Sequence, residues 1–200
     1  MTTNSIEQLC SIMGSLLLTS SEFQTKIWRQ ENICKKDGQR DSSSEKYQRK
    51  LVEEITKTDC PKSNGMRINN RTLEMKKNHR PMTKNKKCVP DGFDWSEDFD
   101  GLQTIKTKSL FYSFKFVTEG GGGQTRTLRE VYHFIETQLK YLKKNDNNIL
   151  FINILDGDCS FQRKECFKYL LQLEEYADIN NKCFVGDMTE FNQWFSKFNR

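Results

Sequence analysis

The run Ile149-Leu150-Phe151-Ile152-Asn153-Ile154-Leu155 limits the possible folds more than any other stretch of the chain. It does not alternate between polar and apolar residues, so it leaves no face for water. That predicts a strand buried on both sides, in the middle of a sheet flanked by helices. A second run, Ser109-Leu110-Phe111-Tyr112-Ser113-Phe114-Lys115-Phe116-Val117, is dominated by aromatic and β-branched residues and predicts another buried strand. Between them, Leu128, Val131, Tyr132, Ile135, Leu139 and Leu142 recur at helical spacing, which commits one face of a helix to the core. Downstream, Phe161 to Tyr176 reads as a helix with Cys166, Phe167, Leu170, Leu171 and Leu173 inward, and Lys182 to Gly186 as a short strand. A last helix opens at Asp187 with Glu190 in the capping-box position, and its stripe of Phe191, Trp194, Phe195 and Phe198 is core. The order strand, strand, helix, strand, helix, strand, helix indicates an α/β fold, a mixed sheet flanked by helices in an α/β/α sandwich.

Composition sets the organisation around this half. The chain has 200 residues, enough for one real core, with 35% apolar residues and a net charge of +5. Its mean hydropathy is −0.79 and its pI about 8.8, a basic excess that allows a nucleic-acid partner without requiring one. Three parts are expected: an amphipathic helical segment over 1–28, a basic polar connecting region over 29–87, and the α/β core over 88–200. Ile6, Leu9, Cys10, Met13, Leu16 and Leu17 carry the first helix. Within the connecting region, Glu45 to Ile55 is helix-like through Tyr47, Leu51, Val52 and Ile55, and the remainder reads as polar connection. The seven cysteines, at 10, 34, 60, 88, 159, 166 and 183, are odd in number and contain no C-x-x-C pair. That argues against a disulfide framework and a structural zinc site and for a reducing, cytoplasmic setting, with Cys166 and Cys183 as buried small hydrophobes. Glu7 ahead of the first apolar stretch and the lack of a basic leader argue against a signal peptide, and no run is long enough to span a membrane.

The chemistry-bearing residues surround the strand at 109–117. Glu97, Asp98 and Asp100, closed by Gly101, place three carboxylates within four positions, and a hard divalent cation is their natural partner. Lys115 stands alone in an apolar run, where an unpaired ammonium would cost several kcal/mol if buried, so it meets either solvent or these acids. Gly120 to Gly123 are not followed by Gly-Lys-Ser/Thr and so do not form a Walker loop. They read as a strand-to-helix connection whose bare backbone can approach phosphate. Thr127 and Glu130 spell a capping box. At about 100° per residue, Arg126, Arg129, His133, Lys140 and Lys144 share the face opposite the apolar one, a basic stripe suited to a phosphate backbone. His133 reads as a polar-face residue, and Asp156-Gly157-Asp158 as a turn.

An acidic residue on one strand and a lysine on the next resemble the PD-(D/E)XK nuclease core. The stretch GGGGQTRTLREVYHFIETQ followed by ILFINILDGD is similar to the catalytic half of type II restriction endonucleases. Asp100, or its neighbour Asp98, matches the first aspartate of that core and Lys115 its lysine. The position two before the lysine, an acid in the family, is Ser113, so a second carboxylate would come from Asp98, Glu97 or Glu119. Pro90-Asp91 offers a second registration, farther from Lys115 than a tight hairpin allows. Glu53 or Glu54, in the helix preceding the first strand, is a further candidate. The resemblance implies a Mg²⁺-dependent phosphodiester hydrolase acting on duplex DNA as a homodimer. Asp98, Asp100 and Lys115 would be catalytic, Asp98 and Asp100 would hold the metal, and Gln124, Arg126 and Arg129 would contact DNA. The missing acid at Ser113 keeps open an alternative, a catalytically inactive DNA-binding protein of the same fold.

Overall fold

A computed structural model describes residues 43–77, 95–117, 122–145 and 148–198, without the side chains of 43, 122–125, 158–159 and 161–162. The expected helix over 5–19, Pro90-Asp91, Glu119, Gly120 and the side chains of Gln124 and Asp158 therefore lie outside the described residues.

The elements in chain order are α1 (Ser43–Thr56), β1 (Met66–Ile68), β2 (Met75–Lys77), β3 (Gly101–Ile105), β4 (Lys108–Phe116), α2 (Gly122–Lys144), β5 (Ile149–Asp156), α3 (Asp158–Gln172), two 3-10 turns, β6 (Cys183–Gly186) and α4 (Met188–Phe198). The main sheet has the order β3-β4-β5-β6. β3 and β4 are antiparallel, with Gly101 opposite Tyr112, while β4 and β5, and β5 and β6, are parallel. Helices cover both faces of this mixed sheet, and the fold is the expected α/β sandwich.

The two central strands are buried because both of their faces carry apolar side chains. On one face Phe111, Phe151, Leu155 and Val185 pack with Val131, Ile135 and Leu139 of α2 and with Phe167 and Leu170 of α3. Phe99 lies parallel to the Phe151 ring at 5.3 Å and tilts against Phe111 and Phe134, so the residue between Asp98 and Asp100 is itself a core anchor. On the other face Tyr112, Phe114, Ile152, Ile154 and Phe184 meet Val52 of α1 and Phe191 and Phe195 of α4. The one polar residue in the β5 run is satisfied in place. Asn153 and Gln138 exchange amide hydrogen bonds at 2.7 and 3.0 Å, and Asn153 also donates to the Phe184 carbonyl. This removes the penalty of burying an unpaired amide.

The structure corrects several expectations. The helix expected over 45–55 is α1, while the β1–β2 hairpin was not expected within the polar connection, and both pack on the core with Val52, Cys60 and Ile68 fully buried. Thr127 does not open α2. The helix already begins at Gly122, and Glu130 pairs with Arg126 at 3.0 Å rather than capping. Cys166 is exposed on α3, where Phe167 and Leu170 carry the burial, whereas Cys183 is buried as expected. Asp156 belongs to no turn. It ends β5 fully buried, and Gly157 follows at φ 95°, where a Cβ would collide with the Val117 carbonyl, so only glycine fits. The cap of α4 forms as expected: the Glu190 amide donates to Asp187 at 2.9 Å and the Asp187 amide to Glu190 at 3.1 Å. No described helix is long and apolar enough to cross a membrane.

Candidate functional site

Strand pairing brings the acidic stretch to the lysine. The Asp100 amide donates to the Tyr112 carbonyl at 2.8 Å, and its carboxylate Oδ2 accepts the Phe114 amide at 2.7 Å. Asp100 is thereby clipped to β4 beside Ser113-Phe114-Lys115. Side chains two apart on a strand share a face, so Ser113 and Lys115 point toward α2, and Lys115 senses the charge of Glu130 on that helix. Ser113 is buried there, an uncharged hydroxyl where the family pattern has an acid.

Lys115 is 23% exposed and donates to Glu97 Oε2 at 2.5 Å. Burial works against its ammonium, but the charge and hydrogen bond of Glu97, with Asp100 and Glu130 behind, outweigh that and raise its pKa. Lys115 therefore stays protonated at neutral pH. Asp100 is raised as well, which for a carboxyl favours the neutral form. Burial pushes its carboxyl up to about 7, Glu45 and Glu97 add to the rise, and the Phe114 amide and Lys115 only partly oppose it. Two of the expected residues, Asp100 and Lys115, thus lie within each other's field, with Glu97 joining them.

Asp98 does not join them. Arg67 on β1 takes its Oδ1, and the charges felt most by Asp100 and Lys115 are those of Glu45, Glu97, Glu130 and each other. Glu53 and Glu54 also stay away. Glu53 accepts the Cys60 amide at 2.9 Å, and Glu54 lies 4.0 Å from Lys50.

The carboxylate that α1 does deliver is Glu45, in its first turn. On this helix Glu45, Gln48, Arg49 and Val52 follow the i, i+3, i+4, i+7 rule and face the sheet, polar at the start and apolar further on. Arg49 Nη2 donates to Glu45 Oε1 at 2.7 Å and to the Asp100 carbonyl at 3.0 Å. Gln48 donates to Asp156 Oδ2 at 2.6 Å. An inward carboxylate one turn ahead of a buried glutamine was the sequence signal for Glu45. The apolar positions Tyr47, Leu51 and Ile55 drew attention to the neighbouring side of the helix.

Arg126 and Arg129 are exposed near the start of α2, as a DNA-facing role requires. The rest of the basic stripe is partly neutralised within the fold. Glu130 pairs with Arg126, Glu136 with Lys140 at 2.8 Å and with His133 at 3.6 Å, and Lys144 donates to the Thr72 carbonyl. A surface cavity of about 370 Å³ beside Lys108, Trp194 and Phe198 lies at the far end of β4 from Lys115 and has no part in this cluster.

No protein-family model, curated protein or solved structure matches the chain. The site is therefore read from its own geometry. It holds Glu45, Glu97 and Asp100 against Arg49 and Lys115, three carboxyl groups and two fixed cations. Among the described residues no three His, Cys, Asp or Glu side chains converge as a closed metal cage would. Mg²⁺ does not need one, because one or two carboxylates with waters and substrate phosphate oxygens satisfy its octahedron. Glu45 and Asp100 repel each other, and burial suppresses the charge of Asp100.

Proposed function

We propose that the protein is a Mg²⁺-dependent endodeoxyribonuclease of type II restriction-enzyme kind, cutting phosphodiester bonds of duplex DNA at a short specific site. The observation that carries this reading is that Asp100, immediately before β3, lies in the field of Lys115 on the antiparallel neighbour β4, with Glu45 and Glu97 beside them and an exposed arginine pair at the start of the next helix.

Asp100 and Glu45 would hold the cation. Mg²⁺ bound there would polarise a phosphoryl oxygen and make a water more acidic. Lys115 is kept charged by its acidic neighbours, and it is released from Glu97 when a phosphate arrives. It then stabilises the negative charge that builds on the phosphorus oxygens or orients the attacking water. Arg126 and Arg129, with Gln124, meet phosphates or base edges, Arg suiting guanine and Gln adenine. A homodimer places two such sites across a two-fold axis, as cutting both strands of a palindrome requires. The unpaired thiols of Cys60, Cys166 and Cys183 suit a reducing cytoplasmic setting.

A second reading, DNA binding without cleavage, is favoured by one feature. Ser113 is buried and uncharged in the acid position, and Arg67 occupies the carboxylate of Asp98. Incubation of the purified protein with plasmid and Mg²⁺ decides between them. Discrete, metal-dependent fragments are the expected result, and a retarded but intact plasmid establishes the binder instead.

A further inference from the structure

We propose that the cavity at the Lys108 end of β4 is a second binding site, which takes a segment of single-stranded nucleic acid by stacking and charge. The proposal does not rest on the nuclease reading, since seven strand residues, roughly 23 Å, separate Lys108 from Lys115.

Three parts of the chain build the cavity: Lys108 at the start of β4, Asn181 and Lys182 in the turn before β6, and Trp194, Lys197 and Phe198 on α4. The aromatic stripe of α4 divides here. Phe191 and Phe195 are buried in the core, while Trp194 and Phe198, one turn apart, are only partly buried and reach the cavity. Their rings are nearly parallel, 8° apart with centroids at 5.1 Å. Aromatic area in the wall of a cavity of about 370 Å³ contributes its full hydrophobic stabilisation only when something covers it.

The charge around these rings has one sign. Three lysines line the cavity and no carboxylate does, so the complementary partner is an anion. Lys197, in the last turn of α4, also suits the negative end of that helix, but this accounts for one lysine of three. Lys108 stands 4.9 Å over the Phe198 ring. A base arriving there takes the place of the ammonium, which turns to the adjoining phosphate. Flexible ammonium groups suit phosphates whose positions vary, and an open ring accepts any base, because every base has a π face. Among the described residues Asn181 is the only neutral polar side chain of the lining, too little to read base edges, so binding is sequence-tolerant. A duplex keeps its base faces covered. A lipid surface is met by aromatics that project from a helix face, whereas these line a concavity.

Fluorescence anisotropy of a labelled oligothymidylate tests this on the wild type, the double variant Lys108→Gln/Lys197→Gln and Phe198→Leu, without divalent cation and with thermal unfolding of each. The wild type is expected to bind. Both lysines are exposed, so the double variant keeps its fold, and its slope of log affinity against log salt should fall by about 1.4, two phosphate contacts at about 0.7 each. Phe198→Leu keeps most of the apolar volume but not the ring, and should weaken binding about 5- to 100-fold. Should it not fold, the lysine variant carries the test alone. A wild type that does not bind the oligothymidylate, an unchanged salt slope in the lysine variant, or wild-type affinity in a folded Phe198→Leu overturns the proposal. Binding of phosphatidylserine vesicles in place of the oligonucleotide overturns it in favour of a lipid surface.

Discussion

Asp100 and Asp156 stand at two ends of the same device and differ in what surrounds them. Both are pushed above the ordinary carboxylate range by burial, to about 7 and about 6. Asp156 is fully buried and held by neutral donors from two helices, Gln48 Nε2 on α1 and the Met188 amide on α4, at 2.6 and 3.1 Å. Asp100 is only partly buried, meets one backbone amide, and is otherwise surrounded by charges: Glu45, Glu97 and Lys115. A raised pKa therefore does not by itself mark a functional carboxylate. The difference lies in whether the partners are fixed dipoles that complete a packing arrangement or mobile charges that a cation and a phosphate can rearrange.

The largest effect that could break this contrast is on activity. Lys115→Ala is expected to lower plasmid cleavage by about 10²- to 10³-fold, the worth of one well-placed electrostatic donor, with DNA retention in gels preserved. Asp156→Asn should leave cleavage within a few-fold of wild type, and a comparable loss there would erase the distinction. Next comes stability. Asp156→Ala strands the Gln48 amide and the Met188 N–H in the core, and denaturant unfolding should show a loss of about 2–4 kcal/mol. Asp100→Ala removes one such partner and should cost less.

The pH dependence sharpens the comparison further. A carboxyl with a folded pKa near 6 and an unfolded value of 3.8 binds its proton more tightly when folded. Its contribution is complete below 3.8 and is lost as pH rises through about 6. Asp100 extends the same decline to about 7. Thermal midpoints measured from pH 4 to pH 8 should fall accordingly. Asp156→Asn should flatten the lower part; if Asp100 holds Mg²⁺ as proposed, saturating Mg²⁺ should flatten the upper part, since the cation would compete with the proton there. The smallest effect is expected at the surface. Arg126→Ala should change stability by only a few tenths of a kcal/mol, its pair with Glu130 being exposed. The same change should reduce the salt slope of DNA binding by about 1.

Much of the core was legible in the order of residues. β4 and β5 announce themselves because strands covered on both faces cannot alternate, and the start of α4 because the Asp187–Glu190 cap is a contact between residues three apart. Arg49 was not legible, since its second acceptor lies 51 positions away. The β1–β2 hairpin was hidden by its polarity. Its strands are three residues each, and Met66, Ile68 and Met75 are too few to stand out among lysines and asparagines. Asp156 was misjudged because Asp-Gly is common in turns, and nothing local shows that Gln48 reaches across to it. Cys166 was misjudged because the inward side of α3 is fixed only when the helix docks.

By itself the sequence determined that a two-sided buried sheet with helices on both faces would form, and that acidic groups and a lone ammonium would flank its second buried strand. Hydrophobic patterning is a local property, and local properties can be read in order. Only the tertiary structure decided that Glu97 rather than Asp98 would reach Lys115, that Glu45 would arrive from a helix far upstream, and that Arg49 would bridge the Glu45 carboxylate and the Asp100 backbone carbonyl. Those choices depend on which side chains share a small desolvated volume. Charge interactions of that kind are set by a few ångströms of distance and by exclusion of water, and neither exists until the chain has packed.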